Sequence, residues 1–307
     1  MSKITKMLGI DYPIFQGAMA QISKAPLVGA VSEAGGLGII ASGGMSGPEL
    51  VSEIRQTKAL TKKPFAVNVM LMMKNCEELI DVLIAEGVKI ITTGAGTPKP
   101  YMAKLKAAGV IVIPVVPSVK LALKMAELGA DAVIAEGTEA GGHIGEVTTM
   151  ALLPQVTAAL SIPVIGAGGI SDGRGMAAAF ALGAQGIQMG TVYLTAEECP
   201  ISANYKQAIV AAQETSTVVT GRNNGAPVRA LRNKMTEKYL ALEKQEVDRE
   251  VLEELTLGSL RKAVVEGDVE NGSLMAGQIA GNIKSVRSAN EITLSIMKEA
   301  QAVSLNI

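Results

Sequence analysis

Between residues 13 and 191, short apolar runs alternate with stretches in which hydrophobic residues follow the spacing of an amphipathic helix. Each unit has a β-branched apolar run, a polar or glycine-rich break and an Ala/Glu/Leu-rich segment that ends at a glycine. The pattern predicts eight strands, at residues 13–17, 37–41, 65–70, 89–93, 111–116, 132–135, 163–166 and 186–189. Strands joined by helices in this way pair in parallel.

Glycines mark the ends of the predicted helices, where a left-handed residue closes the last turn. They are Gly35, Gly87, Gly109, Gly129 and Gly183. Eight strand–helix units predict an α/β fold of the (β/α)8 TIM-barrel type. An open doubly wound sheet is less favoured, because the turn after the first strand lacks G-x-G-x-x-G and no other segment contains it.

The pattern changes after residue 191. Between Asn233 and Asp268, 15 of 36 residues are charged, and residues 234–255 are predicted to form a solvated helix. We expect a barrel over residues 1–197, a mainly helical insertion or cap over 198–272, and the final barrel helix over 273–307, specifically 274–303. The insertion either covers the barrel mouth or is a solvated packing domain.

Composition narrows the functional classes. The chain has 48% hydrophobic and 19% charged residues and a net charge of −1, which argues against disorder and against a nucleic-acid-binding surface. No apolar run approaches the roughly 20 residues that span a bilayer, and no signal peptide is evident, so a cytoplasmic protein without a membrane partner is expected. Cys76 and Cys199 are isolated, and no metal site is predicted.

The only histidine, His143, lies in a glycine-rich segment directly after the sixth predicted strand. Residues 136–145 therefore leave the carboxyl end of a parallel strand, where barrel enzymes place their catalytic groups. Imidazole readily exchanges a proton near neutral pH, and glycine lets the backbone approach a ligand closely. His143 is the leading catalytic candidate; a structural role is the alternative.

Two glycine turns, at 165–171 and 187–191, follow the last two predicted strands. Barrels bind phosphate at these positions through backbone N–H groups and a short helix N-terminus, although such glycines can also serve only tight turns. Asn68 interrupts an apolar strand and needs a partner. Together with residues 16–19 it either faces a planar cofactor or is satisfied within the core.

These segments resemble the family of nitronate monooxygenases and enoyl-acyl-carrier-protein reductases II, over nearly the whole chain. Six motifs carry the resemblance: Gln-Gly-Ala-Met at 16–19, Asn-Val-Met at 68–70, Glu-Gly-Thr-Glu-Ala-Gly-Gly-His at 136–143, Gly-Ala-Gly-Gly-Ile at 166–170, Gln-Met-Gly-Thr at 188–191 and Met-Ala-Gly-Gln-Ile-Ala-Gly at 275–281. The reductase branch is more similar, because Ile-Gly follows the histidine where monooxygenases usually have arginine, and because residues 228–233 read Val-Arg-Ala-Leu-Arg-Asn.

The resemblance implies an FMN-containing barrel that oxidises NADH or NADPH and reduces the trans-2 double bond of an acyl chain on acyl carrier protein, the last step of each fatty-acid elongation cycle. It also implies a homodimer and, in some members, a monovalent cation near the flavin. The cofactor-binding residues that it implies are Gly17, Ala18, Met19, Asn68, Glu136, Gly141, Gly142, Gly168, Gly169, Gln188, Met189, Gly190 and Thr191.

In such a reaction His143 would stabilise the developing enolate or protonate the α-carbon; orienting the flavin is the alternative. A nicotinamide that docks briefly on a flavin needs no Rossmann domain, which agrees with the missing fingerprint. Arg222, Arg229 and Arg232 would either meet an acidic carrier protein or dinucleotide phosphates, or pair with the nearby Glu-rich helix.

Four other functions are weighed against this one. A nitronate monooxygenase would use the same barrel and flavin, with His143 abstracting the α-proton of a nitroalkane. A dehydrogenase like those acting on inosine monophosphate needs a nucleophilic cysteine after a barrel strand, and neither Cys76 nor Cys199 is so placed. A hydrolase would need a motif such as G-x-S-x-G, which is absent. A non-catalytic flavin or phosphate-binding protein would show the same glycines without turnover.

Overall fold

Eight parallel strands form a closed barrel in the computed structural model, which describes residues 2–304. Met1 and residues 305–307, the outer ends of the first and last predicted segments, lie outside the described residues. The strands are, in chain order, β1 (Ile14–Gln16), β2 (Gly38–Ala41), β3 (Phe65–Met70), β4 (Ile90–Gly94), β5 (Ile111–Val116), β6 (Val133–Glu136), β7 (Gly142–His143), β8 (Val164–Ala167), β9 (Gly186–Met189), β10 (Thr217–Thr220) and β11 (Val228–Leu231).

The barrel order is β1-β9-β8-β6-β5-β4-β3-β2, and all neighbouring pairs are parallel. A parallel bridge between Phe15 and Leu37 closes the ring, with Leu37 N–H donating to Ile14 O at 2.8 Å and Gln16 N–H donating to Leu37 O at 2.9 Å. The eight predicted strands and the TIM-barrel fold are therefore confirmed.

Helices surround the barrel. They are α1 (Lys3–Leu8), α2 (Ala25–Glu33), α3 (Gly47–Leu60), α4 (Cys76–Ala85), α5 (Met102–Ala107), α6 (Val119–Glu127), α7 (Thr149–Ala159), α8 (Gly173–Ala181), α9 (Thr191–Leu194), α10 (Ala203–Val210), α11 (Lys234–Lys244), α12 (Arg249–Thr256), α13 (Ser259–Arg261) and α14 (Ala289–Ala302). A π-helical turn covers Lys262–Glu266 and a 3-10 turn covers Gln278–Asn282. The five predicted helix-ending glycines all adopt a positive φ, from 68° to 96°.

The core has two layers because strand side chains alternate in direction. Inward-facing residues such as Phe15, Ile39 and Ile134 fill the barrel interior, and Ile4 and Leu8 of α1 pack against them. Outward-facing residues pack against the surrounding helices in two larger clusters. Aliphatic residues thus lie on both faces of the barrel strands.

Residues after β9 differ from the expectation in three ways. The predicted mainly helical insertion contains an antiparallel hairpin, β10 with β11, which joins β7 in a three-stranded sheet. The helix predicted over 234–255 is two helices, α11 and α12, since the chain turns at Glu246 with φ of 54°. The final helix begins only at Ala289, where Ser288 and Glu291 form a capping box.

Among residues 2–304, no helix combines the length and the apolarity that crossing a membrane requires.

Candidate active site

The inner surface of the barrel changes from apolar to polar at its carboxyl end. Ala66, Ile90 and Ile134 belong to the interior cluster, so the residues two positions further along each strand face inward as well. Those residues are Asn68, Thr92 and Glu136, and together with Gln188 they form a polar layer. This layer is the floor of a cavity of about 450 Å³ at the barrel mouth.

The catalytic candidate and all 13 cofactor-binding residues that the resemblance implies line this one cavity: Gly17, Ala18, Met19, Asn68, Glu136, Gly141, Gly142, His143, Gly168, Gly169, Gln188, Met189, Gly190 and Thr191. They come from the ends of β1, β3, β6, β7, β8 and β9 and from the loops that follow. The structure therefore assembles residues that are up to 174 positions apart in the chain, from Gly17 to Thr191, into a single site.

Gln16 does not reach the cavity, although its motif does. Phe15 points into the barrel, so Gln16 points outward. Its side-chain Nε2 donates to Ser23 Oγ at 2.8 Å and to the carbonyl of Gly17, while its Oε1 accepts from Ile39 N–H at 3.1 Å. Gln16 thus holds the loop after β1 in place, and the cofactor-facing interpretation applies only to residues 17–19.

Asn68 is satisfied internally at its side-chain N–H group and also lines the cavity. Its side-chain amide donates to Thr92 Oγ1 at 2.9 Å, and its backbone carbonyl accepts from Ser42 Oγ at 2.7 Å. The two alternatives left open by the sequence are therefore not exclusive. Thr92, which the sequence analysis missed, positions the Asn68 amide, and its only sequence signal is a pair of threonines within an apolar strand.

Glu136 and Gln188 are polar side chains that accept and donate no hydrogen bond within the described part of the chain. Each is paired in register with Ala167 on the intervening strand β8, so the small side chain of Ala167 stands between them. Burial over the apolar interior raises the pKa of the Glu136 carboxyl from its ordinary 4.5 to about 7. Unpaired groups of this kind at a cavity floor are suited to bind a polar ligand.

The loop between β6 and α7 is fastened at the start of α7. Both carboxylate oxygens of Glu139 accept from Thr149 N–H, at 2.9 and 3.0 Å, and Thr149 Oγ1 reaches Gly168 O at 2.9 Å. This joins the His143-bearing loop to the glycine turn after β8. Glu139 was part of the recognised motif, but its capping role depends on a tertiary contact that the sequence does not display.

Two glycine segments bring backbone close to backbone at the cavity wall. Gly168 has φ of +91°, and a Cβ there would lie 2.8 Å from Gly137 O. A Cβ on Gly141 would lie 2.6 Å from the carbonyl carbon of Ala276. Any larger residue would therefore displace the wall, which explains why glycine occupies these positions. Thr191 Oγ1 accepts from Gly277 N–H at 2.9 Å and closes the same wall.

His143 lies at the cavity mouth on β7, and its side chain is exposed. The short strand exists only because β11 pairs with it: Val228 is opposite His143, and Ile144 N–H donates to Pro227 O at 3.1 Å. The insertion after the barrel thus supplies the backbone that orients the candidate catalytic residue.

Arg229 is buried, with 5% of its surface exposed, directly opposite Gly142. Its guanidinium donates to Thr138 O at 3.1 and 3.2 Å and to Thr217 Oγ1 at 3.2 Å. Burial first, and the nearby charge of Arg222 next, lower its pKa. Both interpretations offered for Arg229, a ligand contact and an ion pair with the Glu-rich helix, are wrong: it forms no ion pair among the described residues and braces the loop instead.

Arg222 and Arg232, by contrast, are exposed and remain candidates for contact with anionic partners.

The two cysteines lie away from the cavity. Cys76 and Cys199 are both buried and unpaired. Burial raises the pKa of both thiols, that of Cys199 to about 12. Neither is poised as a nucleophile, which agrees with the argument against a cysteine-dependent dehydrogenase.

Several lining residues were missed because only the fold brings them to the site. The cap segment contributes Leu260, and the segment before α14 contributes Met275 and Ile279. They make one side of the cavity apolar. Met275 lay within a recognised motif, whereas nothing near Leu260 in the sequence signals a site.

Comparisons with known proteins agree with this geometry. The nitronate monooxygenase family matches residues 1–80 and 75–299. FabK from Thermotoga maritima shares 47% identity and a TM-score of 0.94, over 98% of this chain and 96% of its own. A nitroalkane oxidase from Streptomyces ansochromogenes shares 28% identity and a TM-score of 0.87, over 97% of each chain.

Curated relatives extend the comparison. A 5-hydroxy-7a-methyl-1-oxo-octahydro-1H-indene-4-carboxyl-CoA dehydrogenase of Mycobacterium tuberculosis is 36% identical over 97% of this chain and 95% of its own length. A probable nitronate monooxygenase of Staphylococcus aureus is 34% identical over 98% of both. The chain therefore belongs to the nitronate monooxygenase family and is an oxidoreductase.

Proposed function

We propose that this protein is an FMN-dependent enoyl-acyl-carrier-protein reductase, which uses NADH or NADPH to reduce trans-2-enoyl thioesters in fatty-acid elongation. The observation that carries the proposal is the similarity to FabK, an enoyl-acyl-carrier-protein reductase II, which extends over nearly the full length of both chains. The CoA dehydrogenase relative adds that a thioester-bearing substrate is compatible with this family.

The cavity suits FMN on three grounds. Its volume of about 450 Å³ lies in the range of small-molecule sites. The floor offers the unpaired polar groups of Glu136 and Gln188, which can meet the polar edge of a ring. The turn at Gly168 and Gly169 follows β8, in the position where barrels bind phosphate. Both glycines have a positive φ, 91° and 73°, and neither has a side chain that would cover its backbone N–H group.

A bound flavin would supply the hydride chemistry, and the chain's own residues must then position the substrate and manage its proton. His143 is the group at the mouth that can deliver a proton to the α-carbon of the thioester or stabilise its enolate. The apolar side formed by Leu260, Met275 and Ile279 can exclude water from an acyl chain.

The carrier-protein partner fits the exposed cations at the hairpin. Arg222 lies in the turn between β10 and β11, whose far strand pairs with the His143 strand, and Arg232 follows β11. Neither forms an ion pair among residues 2–304, so both are available to an acidic surface or to phosphate groups. We include a homodimer in the proposal on the resemblance, and a cytoplasmic location on the expectation drawn from the sequence.

Nitronate oxidation is the second candidate, since the family and the Staphylococcus aureus relative bear that name. There His143 would abstract the α-proton of the nitroalkane. One pair of assays on the FMN-loaded protein separates the two functions: oxygen uptake with a nitronate, and NAD(P)H oxidation with crotonyl-CoA. Thioester-dependent oxidation that yields butyryl-CoA supports the reductase, and nitronate-dependent oxygen uptake alone supports the monooxygenase.

A further inference from the structure

Glu136 is an acid without a counter-charge. It lies at the end of β6 and faces inward above Ile134, so its carboxyl stands between the apolar interior and the cavity. No hydrogen-bond donor or cation of the described chain contacts its oxygens. In water the carboxylate would be hydrated, whereas at this position the ionised carboxylate of Glu136 would be stabilised only by the molecules that occupy the cavity.

The other described ionisable groups around the cavity form no pair with Glu136. Among the lining residues these are Glu139, whose oxygens are taken by Thr149, and His143, which is exposed at the mouth. Behind the loop, the Arg229 guanidinium is directed to Thr138 O and Thr217 Oγ1. Burial is accordingly the cause that raises the pKa of Glu136 to about 7.

We propose that Glu136 binds the cofactor as a neutral carboxylic acid, whose O–H group donates a hydrogen bond to an acceptor of the isoalloxazine ring. Flavin affinity is then linked to the protonation of this one side chain. The inference rests on the proposed flavin function. The ring carries carbonyl and nitrogen acceptors, and a neutral acid can donate to one of them while its own carbonyl oxygen accepts. Gln188, on the other side of Ala167, carries an amide that has both a hydrogen-bond donor and an acceptor at every pH.

The linkage has a definite sign. If only the protonated form binds well, the apparent dissociation constant equals the intrinsic one divided by the protonated fraction. Affinity is then constant below the carboxyl's pKa and falls about tenfold per pH unit well above it. Replacing the acid by an isosteric amide removes the dependence, because glutamine keeps an N–H donor at every pH.

The test measures dissociation constants of FMN by fluorescence quenching from pH 6.5 to 9, for the wild type, Glu136→Gln and Glu146→Gln. Glu146 is an exposed acid of the same loop and lies outside the cavity, which makes it a matched control. Riboflavin is titrated in parallel, because the FMN phosphate itself titrates near pH 6. Circular dichroism verifies folding, and Glu136→Ala replaces the amide variant if that variant does not fold.

We expect the wild type and Glu146→Gln to lose about tenfold in affinity between pH 8 and 9, for both ligands, and Glu136→Gln to show a flat profile. Glu136→Ala should be flat as well, with weaker binding. Equal slopes in the wild type and Glu136→Gln would overturn the inference while leaving the flavin assignment intact. Failure of every variant to bind either flavin at any pH would overturn the flavin assignment and the inference together.

Discussion

Val228 lies directly opposite His143 in the antiparallel pairing of β11 with β7. The neighbouring pair is Arg229 with Gly142, and the Arg229 side chain reaches back to the Thr138 carbonyl at the start of the same loop. The hairpin therefore holds both ends of the segment that carries the candidate catalytic histidine. The insertion, for which the sequence left open a cover over the barrel mouth or a solvated packing domain, thus contributes a hairpin that braces this segment.

Removing the Arg229 guanidinium should loosen this brace. Arg229→Ala leaves the part-buried Thr138 carbonyl without its donor, a loss of about 1–3 kcal/mol in the free energy of unfolding. We also expect kcat to fall more than KM rises, since His143 loses its orientation. Thermal unfolding and steady-state kinetics measure both, with Arg229→Lys as a partial rescue. Arg249→Ala, at an exposed position of α12, is the control; equal effects from both variants would refute the bracing role.

His143 should be needed for turnover and not for the fold. His143→Ala removes an exposed side chain for which no side-chain hydrogen bond to the described residues is found, so the thermal midpoint and the FMN content should stay close to the wild type. Loss of a positioned proton donor should lower kcat by about 100-fold or more. Absorbance of the bound flavin and single-turnover kinetics make the comparison. A variant with full flavin and full turnover would end the catalytic assignment.

Glu136 should make the flavin-free protein less stable at alkaline pH. Its folded-state pKa of about 7 exceeds the ordinary 4.5, so the folded form binds more protons and loses stability as pH rises between these values. At about 1.4 kcal/mol per pKa unit, the free energy of unfolding of Glu136→Gln should exceed that of the wild type by at most about 3 kcal/mol above pH 7. The gain should nearly vanish by pH 4. Urea unfolding at several pH values measures it, and a gain independent of pH would contradict the account.

Gly168 should resist even the smallest substitution. Gly168→Ala forces a Cβ to within 2.8 Å of Gly137 O at a φ of +91°, so the turn after β8 must shift. Gly87 offers a matched control, because its φ is +70° and a Cβ there meets nothing within 4 Å. Both variants should lose about 1 kcal/mol from backbone strain, and only Gly168→Ala should also weaken FMN binding at least tenfold. Equal FMN affinities would show that the turn does not bind the cofactor.

The barrel was predictable because its signals are local. The strands are short, mostly apolar runs, and five of the surrounding helices are followed by a glycine whose positive φ the structure confirms. The site followed from strand order, since Asn68, Glu136 and Gln188 stand at the carboxyl ends of strands, where a barrel gathers its polar groups.

The features that were missed depend on long-range contacts. The β10–β11 hairpin is short, and only its pairing with Gly142 and His143 explains why Val228–Leu231 forms a strand. Arg229 reads as a surface cation in the sequence, yet its position opposite Gly142 buries it. Likewise, nothing local separates Gln16, which faces the helices, from its neighbours that face the cavity.

The most direct test of the central claim is NADH oxidation by the FMN-loaded protein under strictly anaerobic conditions, with crotonyl-acyl-carrier protein as the acceptor. Butyryl-acyl-carrier protein, which has no double bond, is the matched control substrate. We predict oxidation that depends on the crotonyl thioester and forms the saturated thioester in equal amount. NADH left unoxidised in both reactions, together with rapid oxygen uptake on a nitronate in air, would contradict the reductase assignment.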